Sequence, residues 1–254
     1  PAYTGTNISS GSSSSSNYLT NPNNWIPDSV QSVVFNASYY SGKYPDLKNA
    51  FGTDANKLYD HYLDMGAKEG RQASAIFDVR TYLAKNPDLK AAFGNDYKAA
   101  IKHFAQYGIK ETRITAPTAD IGTGVTARIN VSTASLNFSL SDTDVIAYTP
   151  SNAPAQVWKF DRQGDGSYKI TNSKTGQVLD LYAAAKTAGS KVHIYDSNDT
   201  LAQRWFLYES EVKGKFIFRP ACATGIVIGV EGDSKTAMAK IKSVNYTNSN
   251  GQKF

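Results

Sequence analysis

The sequence is poor in the residues that cross-linking and catalysis most often need. Its 254 residues hold one cysteine, Cys222, and three histidines, His61, His103 and His193. A lone thiol closes no internal disulfide, and this set cannot fill even two thiolate zinc sites, so a disulfide scaffold and a zinc module are both excluded. No apolar run nears the roughly eighteen residues that a membrane-spanning helix takes. There is no G-x-S-x-G elbow, phosphate loop, dinucleotide fingerprint or H-E-x-x-H pair, and no nucleophile, base and orienter fall together. The expectation is no enzyme activity and no cofactor. Charge of one sign is concentrated nowhere: residues 1–33 carry one acid and no base, residues 34–116 carry 12 basic against 9 acidic residues, and residues 117–254 carry 15 against 12. Nucleic acid and membrane surfaces select clustered basic stripes, so neither partner is expected.

What is present falls into three stretches. Residues 1–24 are mostly Ser, Asn, Gly and Thr, with too little apolar surface to offset the entropy of ordering, and residues 1–33 are read as a Ser/Asn-rich linker. The chain opens on Pro1 rather than methionine, as an excised piece or a mature form of a larger protein does. Residues 34–116 repeat internally at an offset of 42: Val34-Phe35-Asn36 against Ile76-Phe77-Asp78, Pro45-Asp46-Leu47-Lys48 against Pro87-Asp88-Leu89-Lys90, Ala50-Phe51-Gly52 against Ala92-Phe93-Gly94. His61 and His103, Gly66 and Gly108, and Arg71 and Arg113 keep the same register, so a whole unit is duplicated, 34–75 and 76–116. Each unit punctuates as three short helices. Asn36 or Asp78 caps the first, Pro45 or Pro87 opens the second, Gly52 or Gly94 ends it, Asp54 or Asp96 starts the third, and Gly66 or Gly108 stops it. Phe51 and Phe93 are expected in equivalent buried sites.

After Pro117 the pattern changes to period-two alternation, as in Val178-Leu179-Asp180-Leu181 and Val192-His193-Ile194-Tyr195, which predicts strands. Three Gln-x-aromatic triplets recur: Gln156-Val157-Trp158, Gln203-Arg204-Trp205 and Gln252-Lys253-Phe254, spaced by 47 and 49 residues. A short apolar strand precedes each, centred on Asn137, Asp180 and Gly229, which lie 19, 23 and 23 residues before the glutamine.

In these triplets, and in residues 173–205 almost throughout, residues 117–254 resemble the ricin-type β-trefoil lectins, also grouped with family-13-like carbohydrate-binding modules. Residues 34–116 resemble short Y-P-D-L-K/E-G-R repeats of Gram-positive secreted and cell-surface proteins. The resemblances imply a multidomain α and β chain, a small all-α two-repeat domain followed by an all-β β-trefoil. A trefoil takes one large aromatic per lobe into its pseudo-threefold core, and a glutamine amide to satisfy backbone of the preceding loop. The family repeat runs on past its last triplet, so either the chain continues beyond Phe254 or residues near Thr118–Arg128 complete the barrel edge.

The family's sugar site implies a carboxylate for paired hydroxyls and a ring for the sugar's C–H face. The second repeat keeps Asp180 and Tyr195, with His193 on the same strand face. Ala202 stands where the family has asparagine, and Asn198 or Asp199 is placed to substitute beside Gln203. The first repeat has Asn137 and Tyr148; the third has Gly229, with Lys242 or Val244 at the ring position. The candidate carbohydrate-binding set is therefore Asp180, Tyr195, His193, Asn198 and Gln203. His61 and His103 recur by repetition and read as packing or capping residues, and Cys222 as buried packing. Asp142, Asp144, Asp161 and Asp165 lack a calcium ladder and read as turn residues, so no metal site is expected. Six Asn-x-Ser/Thr sequons, at Asn7, Asn36, Asn130, Asn137, Asn198 and Asn245, follow from the composition. The functional expectation is a non-catalytic, secreted or cell-surface bacterial lectin-like fragment whose partners are glycans or glycoproteins. The alternative is an adhesion or spacer module whose α repeats contact a host or cell-wall protein.

Overall fold

The computed structural model describes residues 19–132 and 134–254. Of the linker expected over residues 1–33, residues 1–18, with the Asn7 sequon, lie outside the described residues. Residues 19–33 do not behave as linker. The Gln31 amide accepts from the Leu19 N–H at 2.8 Å and donates to its carbonyl at 2.9 Å. Ile26, Val30 and Val33 are buried, and Asp28–Val34 form helix α1. Three apolar side chains at helical spacing were enough to order a segment whose flank is polar.

Both repeat units fold as their punctuation predicts. The first runs α2 (Ala37–Lys43), α3 (Pro45–Phe51) and α4 (Ala55–His61), which widens into a π turn over Tyr62–Gly66. The second runs α5 (Val79–Lys85), α6 (Pro87–Phe93) and α7 (Tyr97–Gln106), then a 3-10 turn over Gly108–Lys110. Asn36, Asp54, Asp78 and Asp96 each accept a backbone N–H three residues on, the N-cap geometry. Each unit is also tied end to end, since Asn36 N–H donates to the Ala73 carbonyl at 2.7 Å and Asp78 N–H to that of Thr115 at 2.8 Å. Helices this short are marginal alone and depend on such tertiary ties.

The paired histidines pack as their repetition suggested. The Tyr40 hydroxyl shares a hydrogen bond with His61 Nδ1 at 3.1 Å, and that of Tyr82 one with His103 Nδ1 at 3.2 Å. Phe51 and Phe93 sit against these rings at centroid distances of 5.8 and 5.3 Å. They are equivalent but half-buried rather than buried, because each covers the outer side of its histidine. Gly66 and Gly108 are required for a different reason than stopping a helix. A Cβ at Gly66 would lie 2.1 Å from the Tyr40 hydroxyl, and one at Gly108 2.2 Å from that of Tyr82. Gly66→Ala and Gly108→Ala are each expected to cost about 1–3 kcal/mol by overpacking, measurable as a lowered urea midpoint with an unchanged m-value.

From Val125 the chain is built of β-strands joined by loops and short 3-10 turns. A ring of barrel strands is built from β1 (Val125–Ala127), β2 (Asn130–Val131), β5 (Trp158–Arg162), β6 (Tyr168–Asn172), β9 (Trp205–Glu209) and β10 (Phe216–Pro220). β1 pairs with β5, β5 with β6, β6 with β9 and β9 with β10. Phe254 N–H donates to the Phe216 carbonyl at 3.0 Å, Phe216 N–H returns the bond at 2.9 Å, and Ser132 N–H donates to the Lys253 carbonyl at 3.0 Å. The last residues thus seat themselves between β10 and the end of β2; within the segment 118–128, Val125–Ala127 pairs with β5 and the Ala119 N–H donates to the Leu207 carbonyl of β9 at 2.7 Å. Three hairpins cap the ring: β3–β4 (Leu136–Ser141, Asp144–Tyr148), β7–β8 (Val178–Leu181, Val192–Tyr195) and β11–β12 (Ile226–Val230, Ala239–Asn245). They touch pairwise through Asp144–His193, Ala239–Ala147 and Lys191–Lys242. The arrangement is a β-trefoil with lobe one at β1–β5, lobe two at β6–β9 and lobe three from β10 onward.

Each triplet does the same structural work. Gln156, Gln203 and Gln252 accept from the N–H five residues back (Ser151, Asn198, Thr247) at 2.8, 2.8 and 3.0 Å, and donate to the carbonyl seven back (Thr149, Asp196, Asn245) at 2.8, 2.9 and 2.8 Å. Trp158, Trp205 and Phe254 enter the core. The two tryptophans differ in one respect: Trp205 Nε1–H donates to the Leu179 carbonyl at 2.9 Å, while that of Trp158 has no partner among the described residues. Beyond the loss of ring volume that both share, Trp205→Phe should cost about 1–3 kcal/mol more than Trp158→Phe, because it strands a buried carbonyl; paired thermal melts test that order.

The helices and the trefoil share one hydrophobic cluster, to which the trefoil contributes Phe206, Tyr208, Ile217, Ala221, Val227 and Tyr246. Fully buried Arg219 stands at this junction. Its guanidinium donates to the Tyr208 hydroxyl at 2.9 Å, the Ala223 carbonyl at 3.4 Å and, across the junction, the Arg113 carbonyl at 3.3 Å, and it lies 4.9 Å from the Phe206 ring centre.

Candidate functional site

The register of β7 and β8 sets Asp180 opposite His193, and directly opposed residues share a sheet face. His193 Nε2 and Asp180 Oδ1 lie 3.0 Å apart. Tyr195 is two residues beyond His193 and therefore on the same face, with ring centres 5.9 Å apart. On the other side Tyr182, immediately after β7, meets His193 edge-on at 5.5 Å. Asp180 and His193 are nearly buried, while Tyr182 and Tyr195 are 52% and 53% exposed. The result is an open cleft of about 330 Å³ with a polar floor and two tyrosine walls. Asn198 and Ala202 complete it. The Asn198 side-chain oxygen is taken by the Thr200 N–H and hydroxyl at 3.1 and 2.8 Å, so its amide N–H groups are what it can offer a ligand.

Two expected members stand elsewhere. Gln203 is fully buried and its amide is committed to Asn198 and Asp196; it shapes the loop and does not line the cleft. Asp199 does not substitute for the missing asparagine, because its carboxylate turns to Lys169 at 2.7 Å, an ion pair that holds it below the usual carboxylate range. Tyr182 was missed by alignment of strand centres, although its place directly after Leu-Asp-Leu was the available signal. Three of the other acids have partners: Asp144 faces Lys191 at 2.8 Å, Asp161 faces Lys159 at 3.0 Å, and Asp165 accepts from the Ser167 hydroxyl at 2.6 Å, while Asp142 takes a turn position at positive φ. Cys222 is buried, and burial pushes its thiol up.

The equivalent positions of the other two lobes are filled differently. In lobe one Asn137 pairs with Tyr148, so Tyr148 occupies the place of His193 rather than that of Tyr195. Asn137 is buried and donates to Gln156 Oε1 at 3.2 Å. In lobe three Gly229 faces Lys242 and Val227 faces Val244, which places Lys242 at the His193 position and Val244 at the Tyr195 position. A Cβ at Gly229 would come 2.9 Å from Val244 Cγ2, leaving no room for a carboxylate. Glu231 replaces Tyr182 and pairs with Lys242 at 2.5 Å. Asp233, at the position of Ala184, accepts from the Ser249 hydroxyl at 2.7 Å and the Gly251 N–H at 3.1 Å, filling the volume that Ala184 and Ala202 leave empty in lobe two.

Residues 122–195 and, overlapping them, 154–244 match the family described as ricin-type beta-trefoil lectin domain-like. The β half of this chain is a β-trefoil similar to that family. Among solved structures, the designed threefold-symmetric protein ThreeFoil is 23% identical over 50% of this chain and 94% of its own, with a TM-score of 0.48. The ricin B-like lectin of Macrolepiota procera, solved with lactose, is 14% identical over 53% and 96%, with a TM-score of 0.47. The Rhizoctonia solani agglutinin is 15% identical over 54% and 95%, with a TM-score of 0.45. No curated protein matches the chain.

Proposed function

We propose that the chain is a non-catalytic, carbohydrate-binding fragment of a larger bacterial protein, secreted or held at the cell surface, and that it takes a glycan in lobe two. The observation that carries this reading is the lobe-two cleft, where a carboxylate, an imidazole and two exposed tyrosines converge, while lobe one has spent its polar residue and lobe three has filled its cavity. A pyranose presents hydroxyls on its rim and an apolar C–H face; Asp180 and His193 suit the first, Tyr182 and Tyr195 the second. A glycan array probed with the purified chain tests it. Selective signal that vanishes when Asp180 is replaced supports the reading, and array-wide silence from folded protein refutes it.

One observation favours the adhesion or spacer reading. Met65 and Tyr107, at equivalent positions of the two helical units, are 51% and 59% exposed. Each helical unit thus presents an apolar spot to solvent. Binding to a single host or cell-wall protein, lost in Tyr107→Lys on an array-silent chain, is the outcome that reading requires.

A further inference from the structure

A cavity of about 410 Å³ opens where the helices meet the trefoil, within the roughly 300–1,000 Å³ range of small-molecule sites, which favour such junctions. The helical side supplies Ile109 and Lys110; the trefoil supplies Lys186, Cys222, Thr224 and Ile226 among others. Two features give it chemistry. Both charged residues on its wall are lysines, and among the described residues neither ammonium pairs with a carboxylate. The Lys186 ammonium donates to the Cys222 carbonyl, which anchors it at the wall while further N–H donors of its three remain for a ligand. Beside these cations lie an apolar floor of Ile109 and Ile226, whose neighbour Gly225 is approached so closely that a Cβ there would meet Ile109 Cδ1 at 3.2 Å, and the polar residues Thr187, Asn245 and Thr224, the last with its hydroxyl donating to the Glu111 carbonyl and its lone pairs left to accept.

We infer that this cavity is a second binding site, for a carboxylate-bearing sugar residue of the uronic or sialic type. The carboxylate meets Lys186 and Lys110, the C–H face rests on the isoleucines, and the hydroxyls meet the threonines and Asn245. The connection between β7 and β8 joins it to the lobe-two cleft: residues 182–184 line the cleft and residues 186–188 line the cavity. The site nonetheless stands on its own cavity and does not need the cleft to be occupied.

Methyl NMR of the full chain, with glucuronate, N-acetylneuraminate, glucose and acetate as separate probes, tests it. At least one of the two acidic sugars should shift the Ile109 and Ile226 methyl signals saturably. Glucose should leave them still, acetate should act more weakly than the acidic sugar, and Lys186→Met should weaken the binding at least tenfold while keeping the aliphatic stem. Asp180→Asn should leave it unchanged, which separates this site from the lobe-two reading. No saturable shift with either acidic sugar, an equal shift with glucose, or undiminished binding in folded Lys186→Met overturns the inference.

Discussion

Asp180→Ala is expected to reduce affinity for the glycan ten- to more than a hundredfold. Asp180 is the one carboxylate among the residues lining the lobe-two cleft, and loss of a charge-assisted hydrogen-bonding group costs roughly 1.5–3 kcal/mol, with tenfold in affinity for each 1.4 kcal/mol. It also holds His193 at 3.0 Å, so the variant frees the imidazole that forms the rest of the floor. Tyr195→Ala and Tyr182→Ala should each weaken binding through loss of a wall. Asn137→Ala and Tyr148→Ala in lobe one should leave affinity within about twofold, a change of roughly 0.4 kcal/mol. Titration calorimetry of these variants, with circular dichroism to verify folding, reads the pattern; equal affinity in wild type and Asp180→Ala would place the sugar elsewhere.

The second large effect is on stability. Arg219 is fully buried, and its cation is held by aromatic faces, a phenol oxygen and two carbonyls rather than by a carboxylate among the described residues. Arg219→Ala should cost about 3–5 kcal/mol, because it opens a cavity between Phe206 and Tyr208 and strands the oxygens that the guanidinium satisfied. Arg219→Met keeps the stem and removes a desolvated charge, so its loss should be the smaller of the two. Urea unfolding followed by tryptophan fluorescence and by far-ultraviolet circular dichroism gives both numbers. Since one apolar cluster spans helices and trefoil, the two probes should report a single transition in wild type.

Much of this architecture is legible in the residues themselves. Asn36, Pro45, Gly52 and Asp54 mark helix ends through local hydrogen bonding and allowed φ, which act within a few residues and so survive in a one-dimensional reading. The Gln-x-aromatic triplets are similarly local, each glutamine closing a loop of its own sequence neighbours. What escaped the sequence depends on neighbours far along the chain. The volume that Asp233 fills is visible only once Gly251 is beside it, and the shift of Tyr148 into the place of His193 is a matter of strand register. The junction did leave a trace: Trp205-Phe206-Leu207-Tyr208 is an unbroken apolar run, the signature of a strand covered on both faces. That run does not say what covers its second face, which is why the helical units and the trefoil look like separate domains in the sequence.

The three glutamine clamps carry a consequence for how such a chain acts on a surface. They hold three loops alike whether or not a lobe keeps its recognition residues, so recognition was free to drift in lobes one and three without loss of the scaffold. On the proposed function, each chain then offers one trefoil cleft to its glycan. If lobe two is where that glycan binds, as proposed, one chain holds a surface bearing it through a single contact, and bridging two such surfaces through it would require joining several chains.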